Sequence, residues 1–195
     1  MKKLLISGFD PFGGEVINPS YEAVKLLPDM IGEYELTKIE LPTVFGRAAK
    51  IMIEKIEEIR PDAVICVGQA GGRRGITPEV IGINLREAKI ADNAGNMPQN
   101  EPVREGAPDG LFSTLPVREM VEAIKNEGLP ASLSFSAGAF VCNDLLYSLL
   151  YEFKDSNIKI GFIHVPFLPE QAKDGVPSMT LSEIVRGLSA AIECL

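Results

Sequence analysis

The 195-residue chain has no tryptophan, one histidine and three cysteines, and each scarcity removes a class of function. Cys66, Cys142 and Cys194 are too few and too far apart for a disulfide framework, and no Cys-x-x-Cys pair offers a zinc or dithiol redox site. A reducing cytoplasm is the expected compartment. Positive charge is also short, because 19 Lys and Arg against 27 Asp and Glu give a formal net charge of -8, and the only adjacent arginines are Arg73 and Arg74. Nucleic acids are bound by clustered cations that neutralise phosphates, so no nucleic-acid partner is expected. No stretch approaches the ~20 apolar residues that cross a bilayer. Met1-Lys-Lys-Leu-Leu-Ile starts like an export signal, but the apolar run breaks at Ser7 and Gly8 and meets Asp10, so neither export nor membrane insertion is expected. What is present is 46% hydrophobic content, enough for one packed core. No linker, repeat or low-complexity tract divides the chain, and residues 1–195 are read as one domain.

Apolar runs of strand length alternate with segments of helical period, which predicts an α/β fold, a single-domain α/β/α sandwich with a mainly parallel central sheet flanked by helices. The strand candidates are Lys3 to Ser7, Tyr34 to Leu41, Ala63 to Val67, Val80 to Leu85, Ser132 to Phe135 and Lys159 to Val165. Arg47 to Ile59 carries Ala48, Met52, Ile56 and Ile59 at helical spacing and is stopped by Pro61. The last helix carries Leu181, Ile184, Val185, Leu188, Ala191, Ile192 and Leu195 on one stripe, with Thr180 and Glu183 as a capping box. A further helix carries Val141, Leu145, Leu149 and Phe153 on one face, with Cys142 in its first turn. From Arg86 to Pro116 the period is lost in Pro, Gly, Asn and Asp, and a loop of that length is usually functional or mobile.

His164 lies in the apolar run Gly161-Phe-Ile-His-Val-Pro-Phe, just before Pro166 ends it. A lone histidine in such a run is more often a satisfied core residue than a catalyst, but the carboxyl ends of parallel strands are where catalytic groups gather. If an imidazole base is used, it is this one. Cys142 also follows a strand candidate and opens a helix, whose N-terminus favours the thiolate, so nucleophile and inert filler stay open for it. Cys66 and Cys194 read as packing. A carboxylate should orient the imidazole, and Glu79 and Asp92 both qualify by position. The Gly68 to Gly75 stretch lacks the Walker A and dinucleotide spacings, leaving only a weak anion site at Arg73 or Arg74. Phe9 and Phe12, in a Gly/Pro loop after the first strand, serve either as loop anchors or as walls of an apolar pocket. Asn18-Pro-Ser is no glycosylation acceptor, since proline occupies its middle position.

Four segments together resemble the pyroglutamyl peptidases of type I: Gly8-Phe-Asp-Pro-Phe-Gly-Gly14 with Asn18-Pro19, Gly68 to Asn84 around Ile76-Thr-Pro-Glu79, Ser134-Phe-Ser-Ala-Gly-Ala-Phe-Val-Cys-Asn143, and Gly161-Phe-Ile-His-Val-Pro-Phe-Leu-Pro-Glu-Gln171. The resemblance covers nearly the whole chain in the right order. It implies a cytosolic cysteine peptidase that removes N-terminal pyroglutamate from peptides without metal or cofactor, assembled as a dimer or tetramer. By position it makes Cys142 the nucleophile, His164 its base and Glu79 the orienting carboxylate. It assigns Phe9, Phe12, Phe140 and Val141 to the substrate slot and the backbone of Gln69 to the lactam.

The chain departs from the family pattern in places. The usual Asp-Ala-Arg-Ile-Pro-Asp-Asn reads Glu87-Ala-Lys-Ile-Ala-Asp-Asn93, so Lys89 stands where a guanidinium fork would support the oxyanion or nearby backbone. Val80 and Gly82 replace the usual basic residue and alanine, and the connection from Phe153 to Ile160 is short. Alternative readings are a thiol amidase for another small cyclic amide and a catalytically silent pyroglutamate-binding protein.

Overall fold

The computed structural model describes residues 1–173 and 175–195. In chain order the elements are β1 (Lys2–Phe9), α1 (Pro19–Leu26), β2 (Met30–Ile31), β3 (Tyr34–Leu41), α2 (Arg47–Ile59), β4 (Ala63–Gln69), β5 (Thr77–Pro78), β6 (Ile81–Ile83), β7 (Gly110–Phe112), α3 (Val117–Asn126), α4 (Val141–Glu152), β8 (Lys159–Val165) and α5 (Leu181–Glu193). The main sheet has the order β2-β3-β1-β4-β8-β5. Its four central strands are parallel, and the two-residue edge strands β2 and β5 run antiparallel.

Successive residues of the central strands go to opposite faces and fill two separate cores. Leu4 and Ile6 of β1, Ile65 and Val67 of β4, and Ile163 and Val165 of β8 pack with α1, α3 and α5. Leu5 and Phe9, Val64 and Cys66, and Ile160 and Phe162 pack with Met52 and Ile56 of α2 and Leu145 and Leu149 of α4. The expected α/β/α sandwich is therefore present, with three helices on one face and two on the other. Burial of both faces explains why β1 and β4 read as continuous apolar runs rather than alternating ones. Among the described residues no helix is long and apolar enough to cross a membrane.

Two predicted strands differ. Of Val80 to Leu85 only Ile81–Ile83 is extended, and it leaves the main sheet to pair with β7. The Asn143 side chain holds it there, accepting from Ile83 N–H and donating to the Ile83 and Leu85 carbonyls. Ser132 to Phe135 forms no regular strand; Ser134 makes a single bridge to Glu79 and Ala131 one to Ile76. Alternation puts Leu133 and Phe135 on one face, but Leu133 is only half-buried and Phe135 is exposed, so that face is not covered and the segment is held only through its bridges.

Two helices lacked a predicted counterpart. Helix α1 starts where Asn18 accepts from Ser20 N–H and Pro19 takes the first turn, the cap signal contained in Asn18-Pro-Ser. Helix α3 buries Met120, Val121 and Ile124. The predicted helix signals hold: α2 stops before Pro61, closed by Arg60 in a left-handed conformation, and Thr180 with Glu183 forms the capping box of α5.

Candidate active site

In parallel β4 and β8, Gly68 is the register partner of His164, and both lie on the α2/α4 face, in step with Cys66 and Phe162 two residues earlier. A Cβ at Gly68 would stand 2.9 Å from Cys142 Sγ and 2.7 Å from Phe162 Cζ. The absence of a side chain there lets the head of α4 settle on the strand, bringing the thiol over the strand position beside His164. The His164 ring packs on Phe162, with centroids 4.7 Å apart. Two polar neighbours fasten this end of α4: Asn143 grips β6, and buried Asp144 accepts from Gly46 N–H at 2.7 Å and from Arg86 Nε at 2.7 Å. The sequence reading missed both, although an Asn-Asp pair inside an otherwise apolar helix stripe was the visible sign. Asp144→Ala is expected to lower stability by about 2–3 kcal/mol in urea unfolding, because it strands the Arg86 cation and the Gly46 N–H.

His164 Nδ1 is 2.7 Å from Glu79 Oε1, and both residues are buried. Glu79 is delivered by the short stretch that follows β5, where its N–H donates to Phe162 O and Val80 N–H donates to Ser134 O. Arg73 Nη1 donates to the same Glu79 oxygen at 2.7 Å. The Glu79 and Asp92 alternatives are separated by geometry. Asp92 accepts from Phe45 N–H, Ala94 N–H, Asn96 N–H and Asn96 Nδ2, so its carboxylate organises its own loop. The anion site weighed at Arg73 loses its cation to Glu79, Thr77 and Ser136.

Charge at the site follows burial more than the helix terminus. Burial pushes the Cys142 thiol up to about 12, and the Glu79 and Cys66 charges add to this, while Arg73 and the residue's own N–H pull it down. Burial lowers His164 below its usual 6.5, against the upward pull of Glu79. Burial alone would raise Glu79, but the His164 hydrogen bond and charge, Ser134 and Arg73 together hold it below the usual carboxylate value. At rest the pair is thus a thiol beside a neutral imidazole. The thiolate expected from the helix N-terminus is outweighed by desolvation.

The slot residues divide by exposure. Phe9 and Val141 are buried in the core, so their side chains support the site from beneath. Phe12 and Phe140 are half-buried with centroids 6.0 Å apart, and Phe45 meets Phe140 edge-on at 5.1 Å. Phe45 was missed; its signal was its place just after β3, at the same strand ends. Gln69 closes β4 and accepts from Gln171 Nε2 at 3.0 Å, which joins the loop after β8 to the loop after β1 through Ile17 O. Lys89 is exposed, with no hydrogen bond or ion pair among the described residues. Gly82 lies under α4, where a Cβ would come within 3.2 Å of Leu146 and Tyr147.

The model of the pyroglutamyl peptidase family matches residues 2–195. A pyrrolidone-carboxylate peptidase of Streptococcus suis is 52% identical over 194 residues, covering 97% of this chain and 90% of the relative. One from Bacillus cereus is 50% identical over 198 residues, covering 99% and 92%. Among solved structures, pyroglutamyl peptidase I of Bacillus amyloliquefaciens superposes with a TM-score of 0.96 at 45% identity, over 100% of this chain and 96% of that one. The pyrrolidone carboxyl peptidase of Thermococcus litoralis gives 0.95 at 36% identity, over 100% and 93%. Sequence, fold and the cysteine, histidine and glutamate gathered at the strand ends agree, and the chain belongs to the pyroglutamyl peptidase family of cysteine peptidases.

Proposed function

We propose that residues 1–195 form one catalytic domain that hydrolyses the amide bond after an N-terminal pyroglutamate of peptides, with Cys142 as nucleophile, His164 as base and Glu79 as its orienting carboxylate. The observation that carries this is the 2.7 Å bond from His164 Nδ1 to Glu79, on the strand whose neighbour Gly68 lies under the Cys142 sulfur. With Nδ1–H donated to Glu79, Nε2 is left as the proton acceptor. Nε2 takes the thiol proton as sulfur attacks the pyroglutamyl carbonyl, and the imidazolium then protonates the departing amine, leaving a thioester. Water, deprotonated by the same nitrogen, releases pyroglutamate and restores the thiol. Among the described residues helix α4 has no side-chain cap at Phe140, which leaves N–H groups of its first turn to face the developing oxyanion.

The lactam is small and neutral, and Phe12, Phe45 and Phe140 supply half-buried aromatic walls for it. The backbone of Gln69 is the assigned polar contact for the ring, which separates pyroglutamate from proline. Lys89 is exposed and takes no part in these steps. The three free cysteines fit a cytoplasmic setting, and exposed Phe112 and Phe135 offer apolar surface for a dimer or tetramer. No nucleic acid, membrane, metal or cofactor enters this scheme.

A chromogenic pyroglutamyl amide should be cleaved at least about a thousandfold better, in kcat/KM, than the matching prolyl amide. Free 5-oxoproline should inhibit competitively. Equal cleavage of both amides defeats the proposal, and absence of inhibition by 5-oxoproline points instead to an amidase for another cyclic amide.

A further inference from the structure

The guanidinium of Arg73 has no part in the steps above, yet it touches the supports of both reacting groups. Nη1 donates to Glu79 Oε1 at 2.7 Å, the oxygen that also binds His164 Nδ1, and to Thr77 Oγ1; Nη2 donates to Ser136 O at 3.0 Å. Thr77 is the β5 register partner of His164, and Ser136 lies in the loop that runs into α4 and Cys142. The fork therefore spans the strand beside the base, the carboxylate behind it and the approach to the nucleophile. A lysine, with one compact ammonium, cannot hold that many acceptors in one plane.

Electrostatics gives the contact a second purpose. Glu79 has no exposed surface, and among the described residues its Oε2 has no hydrogen-bond partner. A buried carboxylate of this kind tends to take up a proton unless a positive charge stands against it. Because burial keeps His164 neutral near pH 7, the cation against Glu79 there is Arg73. The charged or titratable groups acting on His164 are Glu79 and Arg73, and those acting on Cys142 are Glu79, Cys66 and Arg73.

We propose that Arg73 is a positioning residue for the reaction, its guanidinium holding the Glu79 carboxylate ionised and aligned on His164 Nδ1 and tying that pair to the loop that carries Cys142. This rests on the assignment of Cys142 and His164 made above. Arg73→Gln is expected to lower kcat about 100-fold with KM changed less than about threefold, since the guanidinium does not touch substrate. The acid limb of kcat/KM should move to higher pH, because losing the cation lets both His164 and Glu79 hold protons more readily. Alkylation of Cys142 by iodoacetamide should slow, with its pH dependence displaced the same way. Arg73→Lys keeps the charge and loses the fork, so the limb should return to its wild-type position with kcat recovering to within about tenfold.

Alkylation needs no peptide, so a wild type that fails to cleave the pyroglutamyl amide sinks the functional assignment, whereas an unmoved alkylation profile in Arg73→Gln sinks the role of Arg73. An acid limb unmoved in Arg73→Gln overturns the proposal whether activity is kept or lost, because a purely structural contact would lower activity without shifting the limb. Should Arg73→Gln fail to fold by circular dichroism, Arg73→Lys carries the test. Its loss of kcat should then disappear in a Glu79→Gln background, and an equal loss in both backgrounds, or full wild-type kcat in Arg73→Lys, overturns the proposal.

Discussion

Alanine at position 142 is expected to lower kcat on a pyroglutamyl amide by at least about 10⁴-fold, some 5.5 kcal/mol of lost transition-state stabilisation. The thermal midpoint should move by no more than a few degrees. The two expectations have separate causes. Without sulfur no thioester forms, and the residual rate is what the slot and the helix terminus give to attack by water. The Cys142 side chain, by contrast, keeps partial contact with solvent, so less packing is lost than at a fully buried cysteine. Cys66 is the internal control. It is fully buried under the same face, and Cys66→Ala should lower stability by about 1 kcal/mol while leaving most activity in place. Retention of more than about 1% of turnover in Cys142→Ala would place the nucleophile elsewhere. If iodoacetamide labels Cys142 in the wild type no faster than Cys66, the silent binding protein becomes the better reading.

His164→Ala should reduce kcat about 10³-fold or more and also change how stability depends on pH. The native imidazole is held below its usual 6.5, chiefly by burial. The unfolded chain therefore binds more protons than the native one between that depressed value and 6.5, and stability rises with pH across this window. The contribution is complete above pH 6.5 and is lost as pH falls. Glu79 acts in the same direction at lower pH, since its native value lies below the usual 4.5 and its contribution fades as pH drops through it. The wild type should accordingly weaken on the acid side, and His164→Ala should flatten the slope of unfolding free energy in the window just below pH 6.5. Equal slopes in the two proteins would mean that the imidazole is not held neutral. The acid limb of wild-type activity should fall below 6.5 for the same reason. No alkaline limb from Cys142 should appear near neutrality, because its thiol is pushed up to about 12. His164→Asn, which keeps an N–H toward Glu79, separates loss of the base from loss of the hydrogen bond.

The legible parts of the fold were those set by local chemistry. β3, α2 and β8 were read with both ends, and β4 with its start, because strand-length Val and Ile runs and a Pro stop are local signals. The segments misread are those whose conformation depends on distant partners. Ile81–Ile83 is drawn out of the main sheet by Asn143, sixty residues away. Ser134 is pinned at a single bridge to Glu79. Helix α3 sat unread behind the irregular stretch from Arg86 to Pro116, although Met120, Val121 and Ile124 carried its period.

The site divides along the same line. Its residue types were visible in the sequence: one histidine at a strand end, one cysteine at a helix start, and two acids competing to stand behind the histidine. Which acid is within reach of the imidazole was a matter of resemblance until the sheet placed Thr77 opposite His164 and carried Glu79 to its ring. The protonation state could not be read at all, because a helix terminus is a local feature whereas desolvation depends on everything packed around the thiol. Apolar spacing, caps and the order of motifs thus determined the α/β sandwich and the family, since they act within a few residues of chain. Only the tertiary structure decided the partner of His164, the cation held against Glu79 and the neutral resting pair, since each depends on groups distant in sequence being brought out of water together.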